Sequence, residues 1–231
     1  LQQEVIGTAP ADLCFERIPG QGRSEIAGCT ALTNAQGSDI SNIVALAFKE
    51  QSIEADIAIQ NGGGVRIDIP AGDITIGDAY TLLPFANTLY NLQMTGAQIR
   101  QVLEESLDFA LSPNGSTGAY PYASGLRWDV DATQPMGSRI QNLAYKAKTA
   151  SEWSALDEQA QYTVVTNSFV AAGRDGYLTF GTIAEDKRVD TYLDYAQAFV
   201  DYVKRVQVVE KLPLDEYSTQ SFRNSDGELQ E

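Results

Sequence analysis

The sequence of 231 residues contains no histidine. Histidine is the usual general acid or base near neutral pH and the commonest metal ligand in proteins. Its absence excludes histidine-based proton transfer and histidine-ligated metal sites from this chain. We therefore assign the chain no catalytic residue and no metal ligand, and we expect it to bind a substrate that another domain attacks.

Positive charge is also scarce, because 16 Lys and Arg residues stand against 31 Asp and Glu residues, for a formal net charge of −15. Such a surface repels nucleic acids and anionic membranes, so neither is an expected partner. An anionic ligand needs a local concentration of arginine and backbone N–H groups. The sequence has no recognisable signal peptide and no apolar run of membrane-spanning length.

Cysteine occurs only twice, as Cys14 and Cys29. The segment between them is rich in glycine and charge and poor in core-forming residues, so a disulfide would stabilise it by roughly 3 kcal/mol. The alternative is two unrelated thiols. A disulfide predicts an oxidising compartment, and the abrupt start at Leu1 suits a fragment of a longer exported protein. A periplasmic or otherwise exported location is therefore expected.

The pattern of apolar residues predicts strands and helices that do not alternate strictly, which favours an α+β fold with a mixed sheet packed against helices. Beyond Pro213 the chain is polar and is predicted to be extended or mobile. The predicted strands are 4–13, 56–60, 88–94, 126–130, 140–145 and 162–167. Two helices are predicted at 76–82 and 191–206, and two more are predicted to begin at residues 38 and 95.

The run Asn61-Gly62-Gly63-Gly64-Val65-Arg66 directly follows a predicted strand. Glycines allow a ligand to approach main-chain N–H groups, and the flanking Asn and Arg supply hydrogen-bonding forks, of which the Arg fork matches phosphate. The run lacks the Gly-Lys-Ser/Thr ending of a Walker loop and the glycine spacing of a dinucleotide fingerprint. A glycine-rich hairpin without a ligand is the alternative.

Two further segments are candidates for binding. Asn167-Ser168-Phe169 follows another predicted strand and leads to Gly173-Arg174-Asp175-Gly176-Tyr177, and Leu83-Pro84-Phe85-Ala86-Asn87 precedes a third strand. Taken separately, an Asp-Gly pair is typical of a turn and a lone Phe is typical of a core.

Together these segments resemble the C-terminal domain of the 5′-nucleotidases, secreted dimetal nucleotide hydrolases. The resemblance runs from about Gly7 to Val206 with order and spacing kept, and the wording of Arg17-Ile18-Pro19-Gly20 is most similar to the bacterial NAD nucleotidases of this family. Supporting matches are Gly72-Asp73-Ile74-Thr75, Met94-Thr95-Gly96 and Ser116-Thr117-Gly118-Ala119-Tyr120-Pro121.

The resemblance implies that Phe85 and Phe169 hold a nucleobase between their rings, a type of contact that tolerates different bases. It implies that Asn61 hydrogen-bonds the base edge or a neighbouring group, and that Asp175 accepts hydrogen bonds from the ribose hydroxyls.

The remaining implied contacts concern the phosphate. Arg66 would bind it, while Gly63 and Gly64 would leave room for the ligand and offer N–H groups. The family often has a further Arg at the position of Asn34, so that phosphate contact is in doubt here. Arg174 replaces a glycine of the family pattern, and it either adds a cation near the phosphates or points into solvent.

The resemblance also divides the work between domains. Two divalent ions such as Zn or Mn would lie in an N-terminal metallophosphoesterase domain, which would be this chain's protein partner, and the chain itself would carry no cofactor. Residues 1–6 would be the interdomain connection, 7–212 a single nucleotide-binding domain, and 213–231 a polar C-terminal tail. The ligands would be adenosine, AMP, NAD or related molecules.

The sequence thus predicts the substrate-recognition domain of an exported 5′-nucleotidase, which is inactive in isolation. The alternative from another class is a non-catalytic nucleoside-binding receptor module. A self-contained hydrolase with paired carboxylates at Glu104 and Glu105 fits poorly, because these residues lie on a predicted helix.

Overall fold

A five-stranded sheet organises the fold, and the computed structural model describes residues 1–231 without a gap. The strands are β1 (Val5–Ala9), β2 (Ile57–Asn61), β3 (Gly72–Thr75), β4 (Thr88–Thr95), β5 (Pro121–Ser124), β6 (Leu126–Asp131), β7 (Ile140–Tyr145), β8 (Ser154–Ala155), β9 (Gln161–Asn167), β10 (Arg188–Asp194) and β11 (Thr219–Arg223). The α-helices are α1 (Cys29–Leu32), α2 (Asp39–Gln51), α3 (Ile76–Leu82), α4 (Gly96–Leu111), α5 (Ser168–Ala171) and α6 (Tyr195–Val206).

The central sheet has the strand order β10-β4-β9-β2-β5. Its β2 and β9 strands are parallel, whereas the other neighbouring strands are antiparallel. A four-stranded sheet (β11-β6-β7-β8) and a two-stranded sheet (β1-β3) complete the fold. The predicted α+β class with a mixed sheet is confirmed.

Both faces of the central sheet are covered by apolar side chains. Helices α2, α3 and α6 form one core with the two-stranded sheet, and α4 forms a second core with the four-stranded sheet. Successive residues of β2 point to opposite faces, so Ala58 joins the first core and Ile57 and Ile59 join the second. A strand buried on both faces explains the continuous apolar run in the sequence.

Local capping sets the beginnings of the long helices. Ser38 accepts a hydrogen bond from the N–H of Ser41 and begins α2. Thr95 and Gln98 form a reciprocal capping box that begins α4. Both starts agree with the predicted positions.

Two predicted boundaries were wrong. The last helix begins at Tyr195 with Asp194 as its cap, not at Thr191, because residues 188–194 form β10 on the edge of the central sheet. The first strand covers Val5–Ala9 and not the predicted 4–13. A strand that the sequence did not predict, β5, pairs with β2.

The segment beyond Pro213 is not an extended tail. Strand β11 pairs in parallel with β6, and Tyr217 and Phe222 are buried. Ser218 donates its N–H to the buried side chain of Asn42 on α2 at 2.9 Å. Residues 213–223 therefore form part of the domain, because two aromatic side chains and a strand's hydrogen bonds attach them to it.

Cys14 and Cys29 lie at disulfide distance, with Cα atoms 5.6 Å apart and 15 positions of separation. Replacing both with alanine is expected to lower the free energy of unfolding by roughly 3 kcal/mol, since the unfolded chain loses its cross-link. Urea denaturation measures this change. Dithiothreitol should destabilise the wild-type chain similarly and leave the variant unaffected; equal stability of the oxidised wild type and the variant would contradict the cross-link.

Candidate functional site

A cleft of about 290 Å³ lies where β2 and β9 end. Because the two strands are parallel, their carboxyl ends meet at one edge of the sheet, a common place for ligand sites. The residues that line the cleft are Arg17, Asn61, Gly63, Gly64, Arg66, Phe85, Asn87, Ser116, Gly118, Phe169 and Asp175. The structure thus brings all seven sequence-predicted binding residues together.

Glycines form one wall of the cleft. Residues Gly62–Gly64 make a 3₁₀ turn directly after β2, and Gly63 packs backbone to backbone against Gly118. A Cβ atom on Gly63 would lie only 3.0 Å from the Cα of Gly118, so any larger residue would push the two segments apart by a few tenths of an ångström. Arg66 donates a hydrogen bond to the carbonyl of Gly63 at 3.2 Å, and its guanidinium carbon lies 5.8 Å from the centre of the Phe85 ring.

Two phenylalanine rings line the cleft and remain accessible to solvent. Phe85 is 48% exposed and Phe169 is 41% exposed, and neither packs against another aromatic ring. Exposed aromatic rings that line a concave site are typical of ligand contacts. This arrangement differs from the core position that a lone phenylalanine usually occupies.

Two side-chain hydroxyl groups hold the ring-bearing segments, that of the buried Tyr195 and that of the partly buried Ser168. The N–H of Phe85 donates to the hydroxyl of Tyr195 at 3.0 Å, and that hydroxyl donates to the carbonyl of Gly64 at 3.4 Å. Burial raises the pKa of the Tyr195 phenol, so the donor stays protonated. Ser168, beside Phe169, accepts the N–H of Thr88 at 3.1 Å. The two ring-bearing segments are therefore anchored to each other and to the glycine turn.

A chain of side-chain amides crosses the floor of the cleft. Asn167 caps α5, and its Oδ1 accepts the N–H of Val170 at 3.1 Å. Its Nδ2 consequently faces the other way and donates to the Oδ1 of Asn61 at 3.0 Å and to Gln60 at 2.8 Å. Asn61 then presents its own Nδ2, which donates to Asp175 at 2.9 Å. The helix cap thereby determines which atoms Asn61 and Asp175 show to the cleft.

Asp175 supplies the acceptor of the site. It sits in the left-handed region at φ +59°, which is uncommon for a residue other than glycine. Burial raises the pKa of its carboxyl, while the hydrogen bond from Asn61 and the charge of Arg17 oppose that rise. A half-buried carboxylate that accepts one hydrogen bond, from the amide of Asn61, is able to accept further hydrogen bonds from a ligand's hydroxyl groups.

Sequence reasoning missed Arg17 as a lining residue. It lies in an irregular loop, and its Nη1 reaches Thr117 at 3.1 Å. Asn34, at the position where the resemblance expects an arginine, is half-buried and does not line the cleft. Arg174 is exposed and also lies outside the lining, so it points into solvent.

Other acidic groups serve the structure. Glu104 is buried and accepts the N–H groups of Gly137 and Ile140, and Glu105 accepts the N–H and hydroxyl of Thr179. The structure contains no cluster of three or more His, Cys, Asp or Glu residues able to hold a metal ion. None of the helices combines the length and apolar character needed to cross a bilayer.

Comparison with known proteins identifies the family of the chain. Residues 6–182 match the family model for the 5′-nucleotidase, C-terminal domain. The chain is 39% identical over 209 residues to the NAD 5′-nucleotidase of Haemophilus influenzae, covering 89% of this chain and 34% of that protein. It is 40% identical over 178 residues to a probable 5′-nucleotidase of Treponema pallidum, covering 74% of this chain and 30% of the relative.

A solved structure is similar as well. The Haemophilus influenzae NAD nucleotidase matches with a TM-score of 0.83 and 36% identity over 96% of this chain and 38% of that one. The chain spans about a third of the length of these relatives. Because the family model matches most of its length, the chain belongs to the 5′-nucleotidase family and corresponds to the C-terminal domain of that family.

Proposed function

We propose that this chain is the substrate-recognition domain of an exported 5′-nucleotidase. The observation that carries the proposal is the pair of half-exposed rings, Phe85 and Phe169, on one cleft that also holds Asp175 and Arg66. The four side chains match the parts of a nucleotide: two flat apolar faces for the base, a carboxylate for vicinal hydroxyls and a guanidinium for phosphate.

The volume of the cleft supports a small ligand. At about 290 Å³ it lies at the lower end of the range of small-molecule sites. Stacking on the two rings would hold the base, and the amide chain through Asn167 and Asn61 would aim Asp175 at the ribose. Arg66 would then hold the phosphate at the cleft's outer part.

Hydrolysis would require a second domain. Two divalent ions on a metallophosphoesterase domain would activate the attacking water, while the present domain would orient the nucleotide. Of the predicted connection at 1–6, residues 1–4 would form the link, because Val5 and Ile6 belong to β1 and Ile6 is buried. The Cys14–Cys29 pair supports an oxidising, extracytoplasmic location. A stand-alone nucleoside receptor is the other function that the same cleft would serve.

The proposal is tested with the 231-residue chain itself. Calorimetric titrations with adenosine, AMP and NAD should each show saturable binding at one site. Phosphate release from AMP with added Mn²⁺ or Zn²⁺ should stay at the background rate, because the chain contains no metal-binding cluster. Absence of adenosine binding would contradict the recognition role, and rapid turnover by the pure chain would contradict the division of labour.

A further inference from the structure

Three arginines near the cleft lack a carboxylate partner. The six ion pairs of the structure involve other cations, so Arg17, Arg23 and Arg66 have no carboxylate oxygen within ion-pair distance. Ten of the 16 Lys and Arg residues form no ion pair, so these three arginines are distinguished by their closeness to one another and not by the missing partner. Cations gathered without counter-charges repel one another, and a bound anion relieves that repulsion.

Arg17 and Arg23 converge at the edge of the cleft. The Nη1 of Arg17 and the Nη2 of Arg23 each donate to the same hydroxyl oxygen, that of Thr117, at 3.1 Å. Thr117 lies between Ser116 and Gly118, which both line the cleft. A single neutral hydroxyl thus occupies the point at which two charged forks meet.

A second recess of about 220 Å³ adjoins the cleft at this point. Arg17 and Arg66 line both cavities, and Arg23 lines only the second. The Nε of Arg17 is buried and has no hydrogen-bond partner. The three guanidiniums therefore form a continuous positive wall from the cleft into the recess.

The loop that carries two of these arginines is held by buried groups. The carboxylate of Glu16, which is fully buried, accepts the N–H of Arg17 at 2.9 Å and the N–H of Gly22 at 2.6 Å. The hydroxyl of Tyr122 donates to the carbonyl of Arg17 at 2.6 Å. These contacts preorganise the positive wall and so reduce the entropy lost on binding.

Two carboxylates also line the recess. Asp68 is occupied by the loop itself, because it accepts the N–H of Phe15 at 2.6 Å, the hydroxyl of Ser24 at 2.6 Å and the N–H of Glu25 at 3.0 Å. Glu25 is exposed at the rim. Neither forms an ion pair with the three arginines, so their positive charge stays available for a ligand.

We propose that Arg17 and Arg23 form a second anion subsite beside Arg66, which binds a further phosphoryl group of the ligand and makes nucleoside diphosphates bind more tightly than monophosphates. The inference rests on the proposed function, because the base must occupy the neighbouring cleft. Guanidinium forks pair with phosphoryl oxygens through two parallel hydrogen bonds. Bonds between a guanidinium and a charged phosphoryl oxygen are stronger than the present ones to the neutral Thr117 hydroxyl, because both partners then carry charge.

The test compares adenosine, AMP and ADP by calorimetry on the full chain without divalent ions. The wild type should bind ADP more tightly than AMP. In the Arg17→Gln/Arg23→Gln double variant, ADP affinity should fall by about tenfold or more and the ADP-to-AMP ratio should approach one, since charged hydrogen bonds are lost. In Arg23→Gln alone, adenosine affinity should change by less than about twofold, because Arg23 lies outside the adenosine cleft and adenosine carries no charge.

Arg174→Gln is the matched control, because it removes the same charge from an exposed arginine outside both cavities. It should leave all three affinities unchanged. If the double variant melts at a lower temperature than the wild type, Arg23→Gln alone serves as the test, because this side chain is exposed. It should still reduce the ADP-to-AMP affinity ratio. Two outcomes would overturn the subsite alone. The wild type could bind adenosine and show no preference for ADP over AMP, or the ADP-to-AMP affinity ratio could remain unchanged after the substitutions. Failure to bind adenosine would overturn the proposed function itself.

Discussion

Replacing both Phe85 and Phe169 with alanine is expected to weaken adenosine binding by at least about 30-fold. Aromatic stacking on a base contributes about 1–3 kcal/mol for each ring, so removal of two rings costs about 2 kcal/mol or more, which corresponds to that factor. Titration calorimetry of the wild type, the two single variants and the double variant measures the loss.

The stability of the double variant should change little, because both rings are about half exposed. Tyr192→Ala is a suitable control, since Tyr192 is 85% exposed on β10 and does not line the cleft. It should bind adenosine like the wild type. Unchanged affinity in the Phe85→Ala/Phe169→Ala variant would show that the base binds elsewhere.

Asn167→Ala is expected to lower the free energy of unfolding by about 2–4 kcal/mol. The change removes the cap of α5, which costs about 1 kcal/mol, and leaves the buried oxygens of Asn61 and Gln60 without their donor, which costs about 1–3 kcal/mol. Asn167 is fully buried, so water does not replace the lost bonds. Urea denaturation measures the difference.

Asn167→Asp separates capping from amide orientation. Aspartate caps a helix as well as asparagine does, but it has no donor for Asn61. The variant should keep the cap of α5 and still lose adenosine affinity, because Asn61 can no longer keep its Nδ2 directed at Asp175. Thr95→Ala, which removes the cap of α4 away from the cleft, should lower stability without affecting adenosine. Equal adenosine affinity in Asn167→Asp and the wild type would refute the orienting role.

The elements that the sequence predicts well are those with local signals. Thr95 and Gln98 form a capping pattern that predicts the start of α4, and the apolar residues of this helix recur at helical spacing. The C-terminal strand has no such signal. It pairs with β6, where Ser221 contacts Asp129 across 92 positions of sequence, and only two of its nearby side chains, Tyr217 and Phe222, are large and buried. A pairing of that range depends on the assembled fold.

The candidate site likewise contains residues that local sequence signals predict and residues that they do not. Asn61 is the last residue of β2 and Phe169 follows the end of β9, so the parallel pairing of these strands is enough to bring them together. Arg17 belongs to no strand or helix and meets Thr117 across 100 positions of sequence. No spacing or periodicity marks such a contact, and the buried Glu16 that shapes the loop resembles any other acidic residue when it is read in sequence.

The hydroxyl of Tyr195 has a mechanical consequence. This hydroxyl accepts the peptide N–H of Phe85 and donates to the carbonyl of Gly64. The side chain belongs to the first residue of α6 and is fully buried. Any reorientation of the domain within a longer polypeptide would therefore transport both cleft walls as a rigid body. A bound nucleotide would keep its contacts throughout such a rotation, and local loosening of one wall would require the other wall and the first turn of α6 to loosen with it.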